Sequence, residues 1–297
     1  MLQRLTRLLP VRPQQVGPCP GPEHELWPLQ RLRLLSFNMQ AGMGIHAPHH
    51  YLTRSIRHVL PHRRRHEHLE QIARLLAGYD LVGLQEVDGG SLRSGYMHQL
   101  AHLAERANFP YWYQQLNRDL GHFGQFSNGL LSRQSPFSIE AHALPGLKGR
   151  GLILGRFGRA DNALVVLNVH LSLGARARAH QLGFIHELTA DARYAVIMGD
   201  LNCTREELRR SSLGRRHWRW LDEEMHTYPS WKPVRQIDHI LVSDNLVVRK
   251  VGVLDTRLSD HRPIELELEL PPGLFLPAAA IALPTDGLMP SDTKDLK

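Results

Sequence analysis

Side chains able to bind a metal ion or move a proton stand at the ends of short apolar runs along the chain. Burying such groups is costly unless they are paired or bound to a metal ion. Carboxylate and amide oxygens suit a hard divalent cation such as Mg²⁺, and two cysteines are too few for a thiolate cluster. Neighbouring histidines add the acid–base capacity that hydrolysis requires. The residues at these ends are Asn38, Glu86, His170, Asp200, Asn202, Asp238, Asp260 and His261.

The apolar runs themselves have the length and composition of buried strands. Short Leu-, Ile- and Val-rich stretches between turn residues are typical of strands covered on both faces. The run over 264–270 alternates apolar and acidic residues, so one of its faces should contact solvent. The predicted strands cover residues 33–39, 81–87, 128–132, 163–170, 195–200, 237–242 and 264–270.

Two amphipathic helices are predicted between these strands. Residues 63–77 and 175–191 place Leu and Ile at helical spacing. Strands interleaved with helices indicate a layered α/β-type domain rather than an all-β barrel. No change of composition divides residues 31–270, which we expect to form one domain. Residues 1–30, rich in proline and arginine, and residues 271–297 are predicted to be tails.

Each polar strand end also has an ordinary structural explanation. An Asp after a strand most often caps a turn, and Asp88, before two glycines, is expected to do so. His239 follows Asp238 and should point to the opposite face of its strand as a structural residue. Cys203 is expected to be a small packing residue. Six such ends in one chain are much harder to explain by turns, which favours a shared site.

Composition and charge limit the class of protein. The 297 residues are 42% hydrophobic and 22% charged, which excludes a disordered or fibrous chain. No apolar stretch predicts a transmembrane helix, no signal peptide is recognisable and cysteine is scarce, so we expect a cytoplasmic protein, and a monomer. The net charge is +7, and residues 1–70 contain 10 Arg and no Lys against 4 acidic residues. This favours a polyanionic partner, although a solvated basic surface is the simpler explanation of charge alone.

Seven short motifs occur in a fixed order: SFN (36–38), LQEV (84–87), NGLLSR (128–133), NVHL (168–171), GDLN (199–202), IDHILV (237–242) and SDHRPI (259–264). This order resembles the endonuclease/exonuclease/phosphatase superfamily, which includes deoxyribonuclease I, exonuclease III-type repair nucleases, sphingomyelinases and inositol polyphosphate 5-phosphatases. The resemblance implies an α+β fold, a four-layer α/β/β/α sandwich of two packed mixed β-sheets flanked by helices. Signatures specific to deoxyribonuclease I and the inositol phosphatases are not evident, so the resemblance implies no single branch.

The resemblance also implies metal-dependent attack of water on a phosphoester. The ion would be Mg²⁺, with Mn²⁺ as the alternative. Glu86 would be the main metal ligand, with Asn38 beside it as a ligand or phosphate contact and Asp260 assisting. A divalent ion neutralises the negative charge that accumulates on the phosphoryl oxygens during hydrolysis.

The same resemblance assigns the remaining catalytic roles. Asp238 would orient His261, and the two would act as an acid–base or transition-state-stabilising dyad. An Asp behind an imidazole fixes its tautomer and supports its protonated form. Asp200 would position or activate the attacking water, Asn202 would donate a hydrogen bond to the phosphate, and His170 would take the place of the second catalytic histidine.

Three further polar residues, Asn128, Asn168 and Arg150, are weaker candidates for contacts with substrate phosphate. Arg150 lies in a Lys-Gly-Arg-Gly turn whose glycines would let the backbone approach an anion, although a plain hairpin end is the alternative.

Residues 46–68 hold seven of the 19 histidines and three consecutive arginines. Their spacing fits no standard zinc pattern. A solvated basic loop is therefore favoured, with a loop that rims the site and contacts phosphates as the alternative.

Three functions fit these features. The first is a phosphodiesterase acting on nucleic acid, favoured by the basic N-terminal segment, with aromatic residues at 111–113 that could stack on bases or pack in the core. The second is a sphingomyelinase-like phosphodiesterase or phosphatase acting on a phospholipid headgroup or a small phosphoester. The third, a non-catalytic binding module, predicts a missing metal ligand or dyad residue, whereas the sequence retains them all.

Overall fold

Two β-sheets packed face to face form the centre of the molecule, with helices on both outer faces. The structure, a computed structural model, describes residues 14–15, 30–42, 63–121, 124–146, 148–220 and 224–276. The order of layers is helix, sheet, sheet, helix. The predicted α+β fold with two mixed sheets is therefore confirmed.

The first sheet consists of β1 (Gln14–Gln15), β2 (Arg31–Asn38), β3 (Leu81–Asp88), β4 (Tyr111–Asp119), β5 (Gln125–Ser132), β12 (Val247–Val253) and β13 (Ile264–Glu269). Their spatial order is β1–β4–β5–β3–β2–β13–β12. The neighbours β2 and β3 run parallel, and the other pairs are antiparallel. The carboxyl ends of β2 and β3 therefore lie side by side at one edge of this sheet.

The second sheet consists of β6 (Pro136–Ala143), β7 (Gly151–Arg159), β8 (Asn162–His170), β9 (Tyr194–Asp200), β10 (Trp218–Arg219) and β11 (Asp238–Ser243). Their spatial order is β10–β11–β9–β8–β7–β6. Only β8 and β9 are parallel among these neighbours. Their carboxyl ends are again adjacent, and β11 begins next to them.

Helices cover the outer face of each sheet. Helices α1 (Arg63–Leu76) and α2 (Gln99–Arg106) pack on the first sheet, and α3 (Ala175–Thr189) and α4 (Arg205–Arg210) pack on the second. Strand β2 shows why the layers stack in this way. Leu32 and Leu34 point into the core between the sheets, whereas Leu35 and Phe37 contact the helical layer. Alternate side chains along a strand face opposite sides, so both faces of β2 are buried from Leu34 onward, whereas Arg31 and Arg33 near its start are exposed.

All seven predicted strands and both predicted helices are present, with their ends within three residues of the predicted limits. The elements that were not predicted are strands β1, β4, β6, β7, β10 and β12 and helices α2 and α4. Strand β12 contains Arg249 and Lys250, both exposed, so it lacks the apolar run of a buried strand. Helix α2 has only eight residues, which gives its periodicity little length to show.

Parts of the predicted tails are described. Strand β1 pairs with β4, and Leu274 and Leu276 are buried in the core between the sheets. Residues 46–62 of the His- and Arg-rich segment, and most of both tails, lie outside the described residues. The domain limits at residues 31 and 270 stay predictions. Among the described helices, none is long and apolar enough to cross a membrane.

Candidate active site

The second sheet places three of the predicted site residues in one row. Strand β8 ends at His170, β9 ends at Asp200 and β11 begins at Asp238. The strand registers pair His170 with Asp200 and Asp200 with Asp238. Gly199 allows this close approach, because its φ is +147° and a Cβ there would lie 1.9 Å from the carbonyl oxygen of Val169. The glycine of the GDLN motif is therefore a requirement of the strand pairing.

The first sheet contributes Asn38 and Glu86 from the ends of its parallel strands. Asn38 is the last residue of β2 and lies opposite Gln85 of β3. The register of β3 shifts between Leu84 and Val87, and Glu86 within this bulge has a φ of +56°. A bulge changes the direction in which a side chain points. Glu86 is thereby half-exposed in a strand whose other residues are buried, and it lines the site.

Asn38 joins the two sheets at the site. Its Nδ2 donates a hydrogen bond to Asp200 Oδ2 at 3.1 Å, and its Oδ1 accepts one from the backbone N–H of Gln40 at 3.2 Å. Gln40 in turn donates from Nε2 to Asp260 Oδ2 at 3.1 Å. Groups from β2, β9 and the segment before β13 are thus held in one polar cluster at the end of the sandwich.

The dyad of Asp238 and His261 is formed. His261 Nδ1 lies 2.8 Å from Asp238 Oδ2, and both side chains are buried. Thr227 donates its hydroxyl to the same oxygen at 2.5 Å. Burial opposes the charge of the imidazolium, but the carboxylate of Asp238 outweighs it and raises the pKa of His261 well above its usual value. With Nδ1–H committed to Asp238, Nε2–H is the group that His261 can offer to a substrate.

His170 has the opposite electrostatic environment. Burial and the guanidinium of Arg150 lower the pKa of His170 well below its usual value, so the ring is neutral. Arg150 Nη1 lies 3.3 Å from His170 Nδ1, and because arginine can only donate, Nδ1 accepts and Nε2 carries the proton. His170 Nε2 lies 3.4 Å from Asp200 Oδ2 and 3.9 Å from Glu86 Oε1. His170 is therefore a neutral donor facing two carboxylates.

Asp200 and Asn202 adopt a turn that directs both toward the cavity. The backbone N–H of Asn202 donates to Asp200 Oδ1 at 3.1 Å, and Asn202 has a φ of +51°. Its Nδ2 donates one hydrogen to the carbonyl of Leu171 at 3.1 Å. The amide group has a second hydrogen, which a bound phosphate oxygen could accept.

The donor set suits a hard divalent cation. Burial raises the pKa of Glu86, and the nearby carboxylate of Asp260 raises it further. Burial and Asp238 likewise raise the pKa of Asp200, to about 7. Carboxylates forced together in a buried cluster lack sufficient positive charge, and oxygen-binding Mg²⁺ or Mn²⁺ would supply it. Glu86 and Asp260, with the amide oxygen of Asn38, are the residues that could hold the ion.

A cavity of about 480 Å³ opens onto these groups. A second cavity, of about 380 Å³, shares Glu86, Arg150 and His170 with it. The predicted site residues that line the first cavity are Glu86, Arg150, His170, Asp200, Asn202, Asp260 and His261. Asn38 and Asp238 lie directly behind them, each bonded to one of the lining residues.

Asn128 and Asn168 lie deeper in the molecule. Asn168 is 0% exposed and bridges the sheets: its Nδ2 donates to the carbonyls of Leu84 and Gly129, and its Oδ1 accepts from Gln85. Asn128 is equally buried and donates to the carbonyl of Gly151 at 2.9 Å. Neither lines the two cavities. Their contact with a phosphate stays a prediction that the geometry does not support.

The residues that were predicted to have structural roles make structural contacts. Asp88 accepts hydrogen bonds from Gly90 N–H, Ser91 N–H and two serine hydroxyls and thereby caps its turn. His239 points away from the site and contacts the carbonyl of Cys203 at 2.8 Å. Cys203 is buried in the core of the second helical layer, although its edge borders the first cavity. Trp112 and Tyr113 are buried core residues and are not available to stack on bases.

Sequence reasoning missed the segment that supports the dyad. Besides Thr227, this segment supplies Tyr228, whose ring lies 4.9 Å from that of His261, and Ser230, whose N–H donates to the carbonyl of Asp260 at 2.7 Å. The Tyr228–Pro229 peptide is cis. The signal was the sequence Thr-Tyr-Pro-Ser shortly before the IDH motif, because proline and serine are typical turn residues.

Comparisons with known proteins identify a matching sequence family and similar folds. The sequence profile described as Endonuclease/Exonuclease/phosphatase family matches residues 35–261. This range runs from β2 to His261 and includes every residue of the cluster. No curated protein sequence is significantly similar to the chain.

Several solved structures share the fold at low sequence identity. A family protein from Bacteroides thetaiotaomicron has a TM-score of 0.61 at 17% identity, over 82% of this chain and 99% of that one. A mannosyl-6-phosphatase of the same organism has a TM-score of 0.59 at 17% identity, over 80% and 100%. A humanized D. rerio TDP2 has a TM-score of 0.56 at 16% identity, over 82% and 100%.

Proposed function

The chain belongs to the endonuclease/exonuclease/phosphatase family, whose members hydrolyse phosphoesters, and we propose that it is a divalent-metal-dependent phosphodiesterase acting on nucleic acid. The observation that carries the proposal is the meeting of the Glu86 and Asp260 carboxylates with the Asp238–His261 dyad at one cavity. Structural carboxylates at strand ends would be satisfied locally, as Asp88 is. The carboxylates of Glu86 and Asp260 instead line one cavity from different elements of the fold.

The proposed reaction is attack of water on the phosphorus atom with departure of the ester oxygen as an alcohol. Mg²⁺ or Mn²⁺, when bound by Glu86, Asp260 and Asn38, would neutralise charge on the phosphoryl oxygens. Asp200 lies at the end of β9 beside His170, where its carboxylate can accept a hydrogen bond from the attacking water and orient it. As the new P–O bond forms, the water passes its proton to the Asp200 carboxylate, and as the ester P–O bond breaks, the leaving oxygen takes a proton from His261 Nε2.

Three donors are placed to stabilise the negative charge of the transition state. Asp238 keeps His261 protonated and fixes its Nε2–H toward the cavity. The free amide hydrogen of Asn202 and the neutral His170 Nε2–H face the same space. Donors held in place before the reaction need no reorganisation, and each contributes on the order of 100- to 1000-fold in rate.

The preference for nucleic acid rests on positive charge beyond the central phosphate. Exposed Arg118 and Lys148 line the second cavity with Arg150, and exposed Arg235 borders the first cavity. A polymer with several phosphates would place neighbouring anions near these side chains, whereas a single phosphoester would not reach all of them. This charge supports a diester within a chain.

A lipid-headgroup diester is the second candidate function. Leu173 is 74% exposed and borders both cavities. An exposed leucine at the mouth of a polar site could contact the apolar part of a lipid substrate. A small phosphoester would contact only the residues around the first cavity and would not need Arg118 or Lys148.

A substrate panel with Mg²⁺ and Mn²⁺ tests the proposal. Bis(p-nitrophenyl) phosphate, p-nitrophenyl phosphate, plasmid DNA, RNA and sphingomyelin are each assayed with wild type and Glu86→Gln. We expect cleavage of the diesters and of DNA or RNA, and loss of cleavage in Glu86→Gln. The exposed Glu187→Gln on α3 is the matched control and should retain full activity. Cleavage of the monoester alone, or of sphingomyelin without nucleic acid, would contradict the proposed substrate class.

A further inference from the structure

His66, Glu70 and His102 form a second group of potential metal ligands, outside both cavities of the candidate active site. His66 and Glu70 are four residues apart on α1, which puts them on the same helix face, and His102 lies on the adjacent α2. One ring nitrogen of each histidine and one oxygen of Glu70 all lie within 4.8 Å of one another. In a tetrahedral zinc site such atoms are about 3.4 Å apart. A small rotation of the exposed His66 would close the difference.

The ring nitrogen of His102 points into this group. His102 Nε2 is shielded from solvent and makes no hydrogen bond of good geometry, although Glu70 Oε1 is 3.2 Å away. The rings of His66 and His102 are tilted by 54°, with centroids 5.2 Å apart. A shielded nitrogen facing a carboxylate and a second imidazole has the surroundings of a metal ligand.

Arg106 and the helix packing hold the ligands in place. Arg106 Nε and Nη2 both donate to Glu70 Oε2, at 2.9 and 2.7 Å, which leaves Oε1 free for an ion. Leu69 and Leu103, the chain neighbours of Glu70 and His102, are buried in the core beneath the helices. Partners that orient a ligating carboxylate are typical of metal centres.

We propose that this cluster is a Zn²⁺ site that links α1 to α2, with His66, Glu70 and His102 as ligands and water in the fourth position. Two imidazoles and a carboxylate match the preferences of zinc, whereas Mg²⁺ prefers oxygen ligands alone. The site is separate from the phosphoester chemistry, because none of its three residues lines either cavity of the candidate active site.

Titration of the metal-stripped full chain with Co²⁺ tests the site, because tetrahedral Co²⁺ absorbs visible light and Zn²⁺ then displaces it. Excess Mg²⁺ keeps the oxygen-rich active site filled. We expect one equivalent to bind with this absorption, and at least 10-fold weaker binding in His66→Ala and in Glu70→Gln. His66 is exposed, so its substitution should leave the fold intact. His180→Ala, an exposed histidine on α3, is the matched control and should bind as wild type does.

Two results would overturn the zinc site. One is equal affinity in wild type and His66→Ala. The other is weakening by Glu86→Gln of the same size as by His66→Ala, which would place the ion in the active-site cavity. Zn²⁺ should also raise the Tm of wild type and of His180→Ala but not that of His66→Ala, since an ion that joins two helices stabilises the folded state. Phosphodiesterase activity in Mg²⁺ should be the same in all three proteins.

Discussion

His261 Nδ1 donates to Asp238 Oδ2 at 2.8 Å, although the two residues are 23 positions apart in the chain. Asp238 begins β11 in register with Asp200, whereas His261 precedes β13 in the other sheet. The hydrogen bond therefore crosses from one sheet to the other at the end of the sandwich. It fixes both the tautomer and the charge of the imidazole.

Asp238→Asn should lower kcat on a phosphodiester by on the order of 10³-fold, with a small effect on KM. A carboxamide can accept the same hydrogen bond but cannot stabilise the imidazolium, and a comparable change behind the histidine of serine proteases costs about 10⁴-fold. Without the carboxylate the pKa of His261 falls. The alkaline limb of the pH–rate profile should therefore move to lower pH, and an unchanged profile would contradict the assigned role.

Thr227→Val should reduce kcat by about 10-fold, because it removes the hydroxyl that donates to Asp238 at 2.5 Å. A hydrogen bond to a charged group contributes roughly 1.5–3 kcal/mol, of which part would be expressed in the rate. Thr227→Ser keeps the hydroxyl and should restore most of the activity. Steady-state kinetics of the two variants decide the point, and equal rates would show that the hydroxyl only fills space.

Asn168→Leu should lower the free energy of unfolding by about 3 kcal/mol while leaving kcat/KM unchanged at temperatures where the variant is folded. Three buried hydrogen bonds are lost, at about 1 kcal/mol each. Denaturant unfolding measures the first quantity. If Asn168 instead contacted phosphate, kcat/KM would fall while stability changed little.

Gly199→Ala should destabilise the protein by more than 3 kcal/mol. The added Cβ would lie 1.9 Å from the carbonyl oxygen of Val169, and the φ of +147° is strained for any other residue. Gly183→Ala, within α3, is the control, because the added Cβ would contact only Ser212 Oγ, at 3.7 Å. That change should stabilise the protein by about 0.5–1 kcal/mol. Similar Tm values for the two variants would contradict the packing described for β8 and β9.

The sequence predicted the architecture well where elements are long and apolar. Strands β8 and β9 and helix α1 each carry a complete hydrophobic pattern, so their types were evident. The first sheet's β4 was missed because its second half is polar and exposed, and it depends on pairing with β5. Such a strand is stabilised by its neighbours, which local composition does not record.

The site was predicted less completely than the fold. The polar strand ends and the family motifs indicated Glu86, Asp200 and His261, and the structure brings them to one cavity. Asn168 is an asparagine near the end of a strand, as Asn38 is, yet its side chain is buried between the two sheets. Asn168 and His170 are two residues apart in β8 and point to the same side, but Asn168 lies deeper between the sheets, where the carbonyls of Leu84 and Gly129 accept its hydrogen bonds. Sequence alone could not decide how deep between the two sheets Asn168 lies.

The most direct test of the account is the binding of Mn²⁺ by wild type and Glu86→Gln, measured by the electron paramagnetic resonance of free Mn²⁺ and paired with the rate of bis(p-nitrophenyl) phosphate hydrolysis. The two quantities should fall together in Glu86→Gln, the rate by at least 100-fold. Both should be unchanged in Glu187→Gln. Wild-type Mn²⁺ affinity and wild-type rate in Glu86→Gln would show that the carboxylates meeting at the end of the sandwich are not a catalytic metal centre.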